Sequence, residues 1–189
     1  MNGVPVVIGI VLAWAGITFP VENPRITGAF GATSGAHYNA ARRHQGVDVV
    51  PYGGATGRAV LAPANGVVHR VYYSHTTGWV VVLAIQAPAT FWATSLAGQV
   101  HTIAQGETFF IGLKHHQRVL VTEGQRVTSG QTIAAIGSTG STSTGAHVHM
   151  ELRIGPRWTG GYRLDPLDFF LAFIPELRPH LTARGWRGR

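Results

Sequence analysis

The sequence predicts an all-β protein, an antiparallel β-sheet or sandwich, on three observations. Twenty-five glycines and ten prolines are scattered through 189 residues without a repeat, as many short strands joined by tight turns require. Runs rich in Val, Ile, Phe and Tyr recur between those turn residues. A composition that is 45% hydrophobic and only 12% charged gives a chain of this length the core of one ordinary domain.

The chain divides into an apolar start (1–20), a main domain (21–170) and an Arg-rich tail (171–189). From Val4 to Phe19 there is no charge, yet the run is shorter than the ~20 residues of a spanning helix. It lacks the Lys or Arg that precedes a signal-peptide core, although Ala13-Trp14-Ala15 has the form of a cleavage site. Signal peptide, membrane anchor and contact with a partner subunit are all open. Docking in a membrane or assembly is the reading taken forward, because a free apolar tail is unfavourable in water.

Arg25 to Phe30 reads as the first strand, and Gly31 to Ala41 as a loop of small residues. Ala59–Ala62, Gly66–Tyr73, Trp79–Gln86, Thr108–Leu113 and Arg118–Val121 follow as strands of one continuous sheet, with tight turns in 62–68 and 123–133. Ala87 to Glu107, which holds Phe91, Trp92 and His101, reads as a long loop over that sheet. Asp165 before Pro166 is placed to cap a helix.

Two stretches carry chemistry. In 147–152, His147, His149 and Glu151 alternate with Val148, Met150 and Leu152, so a strand here puts two imidazoles and a carboxylate on one face and three apolar side chains on the other. In 44–48, His44 and Asp48 lie four residues apart around Gly46, a normal half-site for zinc. With no cysteine in the chain, a metal must be held by imidazole and carboxylate, and ten histidines against eight acids make that available. The pattern His-Glu-X-X-His is absent, so its glutamate base is not on offer.

In order along the chain stand His-X-Gly-X-Asp (44–48), Ala-Pro-X-X-Gly-X-Val (62–68), a strand ending in His115, Gly-Gln-X-Val-X-X-Gly-Gln (124–131), a Gly-Ser-Thr-Gly loop from Gly137 and His-X-His-X-Glu-Leu (147–152). This set resembles the lysostaphin-type zinc endopeptidases, which cut peptide cross-links in bacterial peptidoglycan, over roughly Arg25 to Leu167. The resemblance implies that family's fold, a duplicated hybrid motif with a zinc groove. It implies one Zn2+ per chain held by His44, Asp48 and His149, with His115 and His147 as the catalytic pair. Relatives carry Leu after the first catalytic His, whereas this chain has His115-His116; counting back from Gly124 selects His115, with His116 the alternative. Glu151 would orient a ligand or serve as a structural partner.

A catalytically inactive relative serving as a structural or regulatory subunit is the nearest competing reading, but all five positions are filled. A biotinyl or lipoyl carrier domain shares two of the hairpin motifs, but it needs a lysine at a hairpin tip. Lys114, the one lysine, stands at a strand end. The formal charge of +7 comes almost wholly from arginine, with Arg178, Arg184, Arg187 and Arg189 crowding the tail. Nucleic acid is an unlikely partner, since no aromatic residues are interleaved in the way single-strand binders need. The expected partners are a peptidoglycan peptide as substrate and, through residues 4–19, a membrane or virion tail subunits. The expected location is the extracytoplasmic envelope or a bacteriophage particle, with the virion favoured by the apolar start, the basic end and the lack of a separate wall-binding module.

Overall fold

The computed structural model describes residues 13–14, 16–33, 38 and 41–178. In chain order the strands are β1 (Ala13–Trp14), β2 (Ile17–Thr18), β3 (Pro24–Gly28), β4 (Val47–Pro51), β5 (Ala59–Leu61), β6 (Gly66–Ser74), β7 (Gly78–Gln86) and β8 (Phe91–Thr94). After them come β9 (Val100–Ile103), β10 (Thr108–His116), β11 (Arg118–Val119), β12 (Arg126–Val127), β13 (Thr132–Ala135), β14 (Val148–Ile154) and β15 (Tyr162–Leu164), then helix α1 (Pro166–Phe173).

The central sheet is antiparallel, in the order β12-β6-β7-β10-β14-β4-β3, with β15 added beside β14. A smaller sheet, β11-β13-β5, is separate from it. Ala59–Leu61 and Arg118–Val119 were expected in the continuous sheet but belong to this smaller one, because both pair with β13, the chain turning away after His116 to meet Ala134 and Ala135. The main core includes Val81, Leu83, Ile111, Leu113, Val148, Met150 and Leu152 from the large sheet and Val60 and Ile133 from the small one. Alternation sends the intervening residues to the other face, where Val80, Val82 and Phe110 pack on Trp158. That second face of β10 and β14 carries the chemistry.

Ala87 to Glu107 is not the expected loop. Its middle is the β8–β9 hairpin, whose Phe91, Ala93 and Ile103 are buried, with the Phe91 ring 5.4 Å from Phe109 and 5.3 Å from Phe169. Phe91, Trp92 and Thr94 favour a strand locally, and burial of Phe91 against Phe169 and Phe173 fixes the hairpin on α1. Asp165 caps α1 as expected, accepting from Leu167 N–H at 3.0 Å.

Buried core residues lie on both sides of 21–170. Ile17, Phe19 and Val21 are core residues, with Phe19 edge-on to Phe170 at 4.7 Å, and Thr18 N–H donates to Pro63 O at 2.8 Å. Phe173, Ile174 and Leu177 are buried too, so the tail begins after them. The apolar run is thus partly core, and its remainder, residues 4–12 and 15, lies outside the described residues, as do Arg184, Arg187 and Arg189. Among the described residues no helix is long and apolar enough to cross a membrane. Phe19→Ala should lower unfolding free energy by about 3–5 kcal/mol in a denaturant titration. A loss below about 0.5 kcal/mol would show that this segment is not core.

Candidate active site

His149 on β14 is the register partner of Asp48 on β4, so imidazole and carboxylate meet side by side across two strands. His44 enters from the loop ahead of β4, pinned by two backbone bonds: His44 N–H to Ala32 O at 2.9 Å and Gly31 N–H to His44 O at 2.8 Å. His149 Nδ1 lies 2.9 Å from Asp48 Oδ1 and 3.0 Å from His44 Nε2, and His44 Nε2 lies 3.2 Å from Asp48 Oδ1. The hydrogen-bond network assigns the tautomers. His44 Nδ1–H donates to Ala29 O at 2.9 Å, and His149 Nε2–H donates to Glu151 Oε1 at 3.2 Å. The nitrogens that face each other and Asp48 are therefore the unprotonated ones. Three lone pairs that close repel unless a cation lies between them. The set of two imidazoles and a carboxylate suits zinc, whose tetrahedral ligand atoms stand about 3.3 Å apart. Burial alone would raise the Asp48 pKa, but bonding to His147, His149 and His44 holds the carboxyl far below its usual range.

The other two predicted residues stand beside this trio. The His115 and His147 rings are 4.7 Å apart, and His115 is 6.0 Å from His149. His115 Nδ1–H donates to Thr139 O at 2.9 Å and His147 Nδ1–H to Gly145 O at 2.8 Å, which leaves each Nε2 available; that of His147 is 3.5 Å from Asp48. Burial lowers the His115 pKa to about 4. Burial opposes protonation of His147 too, but Asp48 outweighs it and raises that pKa.

A β-bulge between Leu113 and His116 sets which histidine faces the groove. Simple alternation from Lys114 would send His115 into the core. Instead His115 takes a left-handed backbone (φ 68°) and lines the groove, while His116 is wholly buried. The His116 ring nitrogens make no well-formed hydrogen bond, although the Leu113 backbone is near enough to favour a proton slightly, and burial lowers its pKa to about 3.

Glu151 is the hub behind the trio. Its Oε2 accepts from Arg153 Nε at 2.9 Å and Nη2 at 2.5 Å, with Arg163 Nε at 3.9 Å; its Oε1 is bonded to Lys114 Nζ besides His149. Arg153 lies over Trp158, 4.1 Å from the ring. Sequence reasoning gave Lys114 no part in the site and did not single out Arg153 or Tyr38, whose ring packs on His44 at 4.3 Å. Arg153 continues the every-second-residue series from His147, and that was the available signal.

Gly46 is the other residue the geometry demands. A Cβ there would lie 2.3 Å from Met150 O and 2.7 Å from His149 Nε2. Gly46→Ala should therefore displace His149 and lower zinc affinity by about 10- to 100-fold, read by competition with a chromogenic chelator. Unchanged affinity would mean that the strands yield there without moving the ligand.

The groove over these residues has a volume of about 260 Å³ and is lined by His44, His115, His149 and Glu151 together with Arg42, Arg43, Lys114, Thr76, Thr77 and Thr142. A family profile described as Peptidase family M23 matches residues 42–166, the span that contains all of the site. Among curated proteins, the Lipoprotein NlpD/LppB homolog of Pseudomonas aeruginosa is 30% identical over 160 residues, which is 82% of this chain and 44% of that protein. The Murein hydrolase activator NlpD of Escherichia coli is 29% identical over 135 residues, 71% of this chain and 27% of that one. The chain thus spans less than half the length of these curated relatives. Among solved structures, LytU matches with a TM-score of 0.57 and 28% identity, over 83% of this chain and 90% of its own. The catalytic domain of the prophage-encoded M23 protein EnpA from Enterococcus faecalis matches with a TM-score of 0.53 and 25% identity, over 74% and 86%. The catalytic domain of lysostaphin from Staphylococcus simulans, at 22% identity and a TM-score of 0.57 over 78% of this chain and 92% of its own, shares the fold.

Proposed function

The chain belongs to peptidase family M23, and from that premise we propose that it is a zinc-dependent endopeptidase hydrolysing peptide cross-links of peptidoglycan. One observation carries the reading: three unprotonated ligand atoms converge on a single point, with two further imidazoles beside them at a groove. His44, Asp48 and His149 would hold the ion. Zinc bound there supplies a water of pKa near about 7 and polarises the scissile carbonyl. His115 offers its Nε2 to the groove and His147 offers its own beside Asp48, each fixed by a backbone carbonyl at Nδ1, so they are oriented to take a proton from the attacking water and return one to the leaving amine. Glu151 orients His149 and keeps its Nδ1 bare.

Incubation of the full chain with purified peptidoglycan, followed by mass analysis of the soluble fragments, tests the proposal. Zinc-dependent release of fragments with new amine and carboxyl ends is the expected result. A second reading comes from the name of the Escherichia coli relative: the domain activates other murein hydrolases and cuts nothing itself. Absence of cleavage alone, with stimulation of an added hydrolase, would establish that reading instead.

The site of action we propose is the cell envelope or a virion that breaches it. The lipoprotein naming of one relative supports the first and the prophage origin of EnpA the second. The docking segment of this proposal is residues 4–12, since Ile17 and Phe19 belong to the core. Removing residues 1–12 should leave cleavage of purified peptidoglycan unchanged and abolish co-sedimentation with the native membrane or particle. Undiminished co-sedimentation would refute the docking role.

A further inference from the structure

The groove is more basic than peptide hydrolysis requires. Arg42, Arg43 and Lys114 line it, and Glu151 is the single acid among the described lining residues. That acid is already committed. Arg153 takes Oε2 through two N–H groups, and Oε1 serves both His149 and Lys114. One carboxylate therefore faces two full cations at close range and a third, Arg163, at 3.9 Å. Arg153 is held besides by the Trp158 carbonyl at 3.1 Å and the Trp158 ring, so it suffices alone as the partner of Glu151.

Lys114 is the cation in excess. Only a tenth of its side chain is open to solvent, and that part borders the groove. An ammonium has three N–H donors, and Glu151 is its one protein acceptor among the described residues. Holding two cations on one carboxylate in so dry a place is unfavourable unless a second anion arrives to share the charge. On β10, Lys114 is the register partner of His149, so its ammonium lies one strand away from the ligand trio. An anion bound there would belong to a residue flanking the bond under attack.

We infer that the groove takes peptides carrying a free carboxylate next to the scissile bond, and that Lys114 reads it. The inference rests on the peptidase reading for the identity of the bond, and on the excess buried cation for the carboxylate. A neutral cross-link, by contrast, leaves Lys114 sharing the single Glu151 carboxylate with Arg153. Lys114 is thus a specificity residue and takes no part in proton transfer.

The test uses three synthetic cross-link peptides that share one backbone. In the first the side-chain carboxylate beside the scissile bond is free, in the second it is a carboxamide, and in the third the only free carboxylate is the α-carboxylate at the chain end. Cleavage is followed as kcat/KM on the zinc-loaded full chain, and binding is followed by calorimetry on the metal-stripped full chain, where no turnover occurs. Wild type should favour one carboxylate peptide over the carboxamide by about tenfold or more in both readouts. Whichever carboxylate peptide is favoured identifies the source of the anion. Lys114→Gln should reduce the ratio to about threefold or less, and Lys114→Arg should keep most of it. Equal handling of acid and amide by wild type would overturn the inference without any variant being needed. So would a Lys114→Gln protein that loses acid and amide peptides equally, since the lysine would then act only through Glu151. Carboxylate preference in binding with no cleavage of any peptide would sink the peptidase reading and leave the Lys114 assignment standing.

Discussion

His149→Ala should take the protein from about one bound zinc ion per chain to nearly none, with cleavage of peptidoglycan falling below detection. His149 supplies one of three converging ligand atoms, and its loss leaves His44 and Asp48 as an incomplete pair. The fold should survive, because Val148 and Met150 hold β14 on its opposite face and Glu151 keeps Lys114 and Arg153. Metal content by atomic emission and the near-ultraviolet dichroism of the variant check the two halves together. Full zinc retention by a folded His149→Ala protein would remove His149 from the ligand set.

His115→Ala and His147→Ala should each keep zinc and lose about 10²- to 10⁴-fold in turnover, the usual range for removing a positioned acid or base. The converging ligand atoms belong to His44, Asp48 and His149, so neither variant removes one of them. His116→Ala should behave differently, losing stability by cavity formation in a fully buried position with turnover per folded molecule little changed. Kinetics on the three variants at equal zinc loading separate these cases. An inactive, folded His116→Ala protein beside an active His115→Ala protein would transfer the role to the neighbouring ring.

Much of the site was legible in the sequence because strand alternation is strict. Once His147, His149 and Glu151 stood two apart with apolar residues between, their common face followed, and the His44-X-Gly-X-Asp48 spacing supplied the facing wall. Alternation fails at His115, where a bulge in β10 inverts the expected face; only the count back from Gly124 pointed to the ring that lines the groove. Lys114 gave no local sign of its role, since its partner Glu151 is 37 residues away in the chain. The core roles of Ile17, Phe19 and Phe91 were hidden for a related reason. Each is fixed by contacts distant in the chain, Phe19 on Phe170 and Phe91 on Phe109 and Phe169.

Strand β14 constrains how such a protein can change over generations. Its even-numbered residues Val148, Met150 and Leu152 are core, and its odd-numbered residues His149, Glu151 and Arg153 are chemistry. Inserting or deleting a single residue within the strand would turn both sets over at once, placing charges in the apolar interior and valine, methionine and leucine in the groove. Length variation here therefore removes stability together with the groove-facing set and leaves no folded intermediate for selection to retain. Substitution on the odd positions alone is the open route. By it a lineage can lose the proposed hydrolysis while the fold, its groove and any binding role persist.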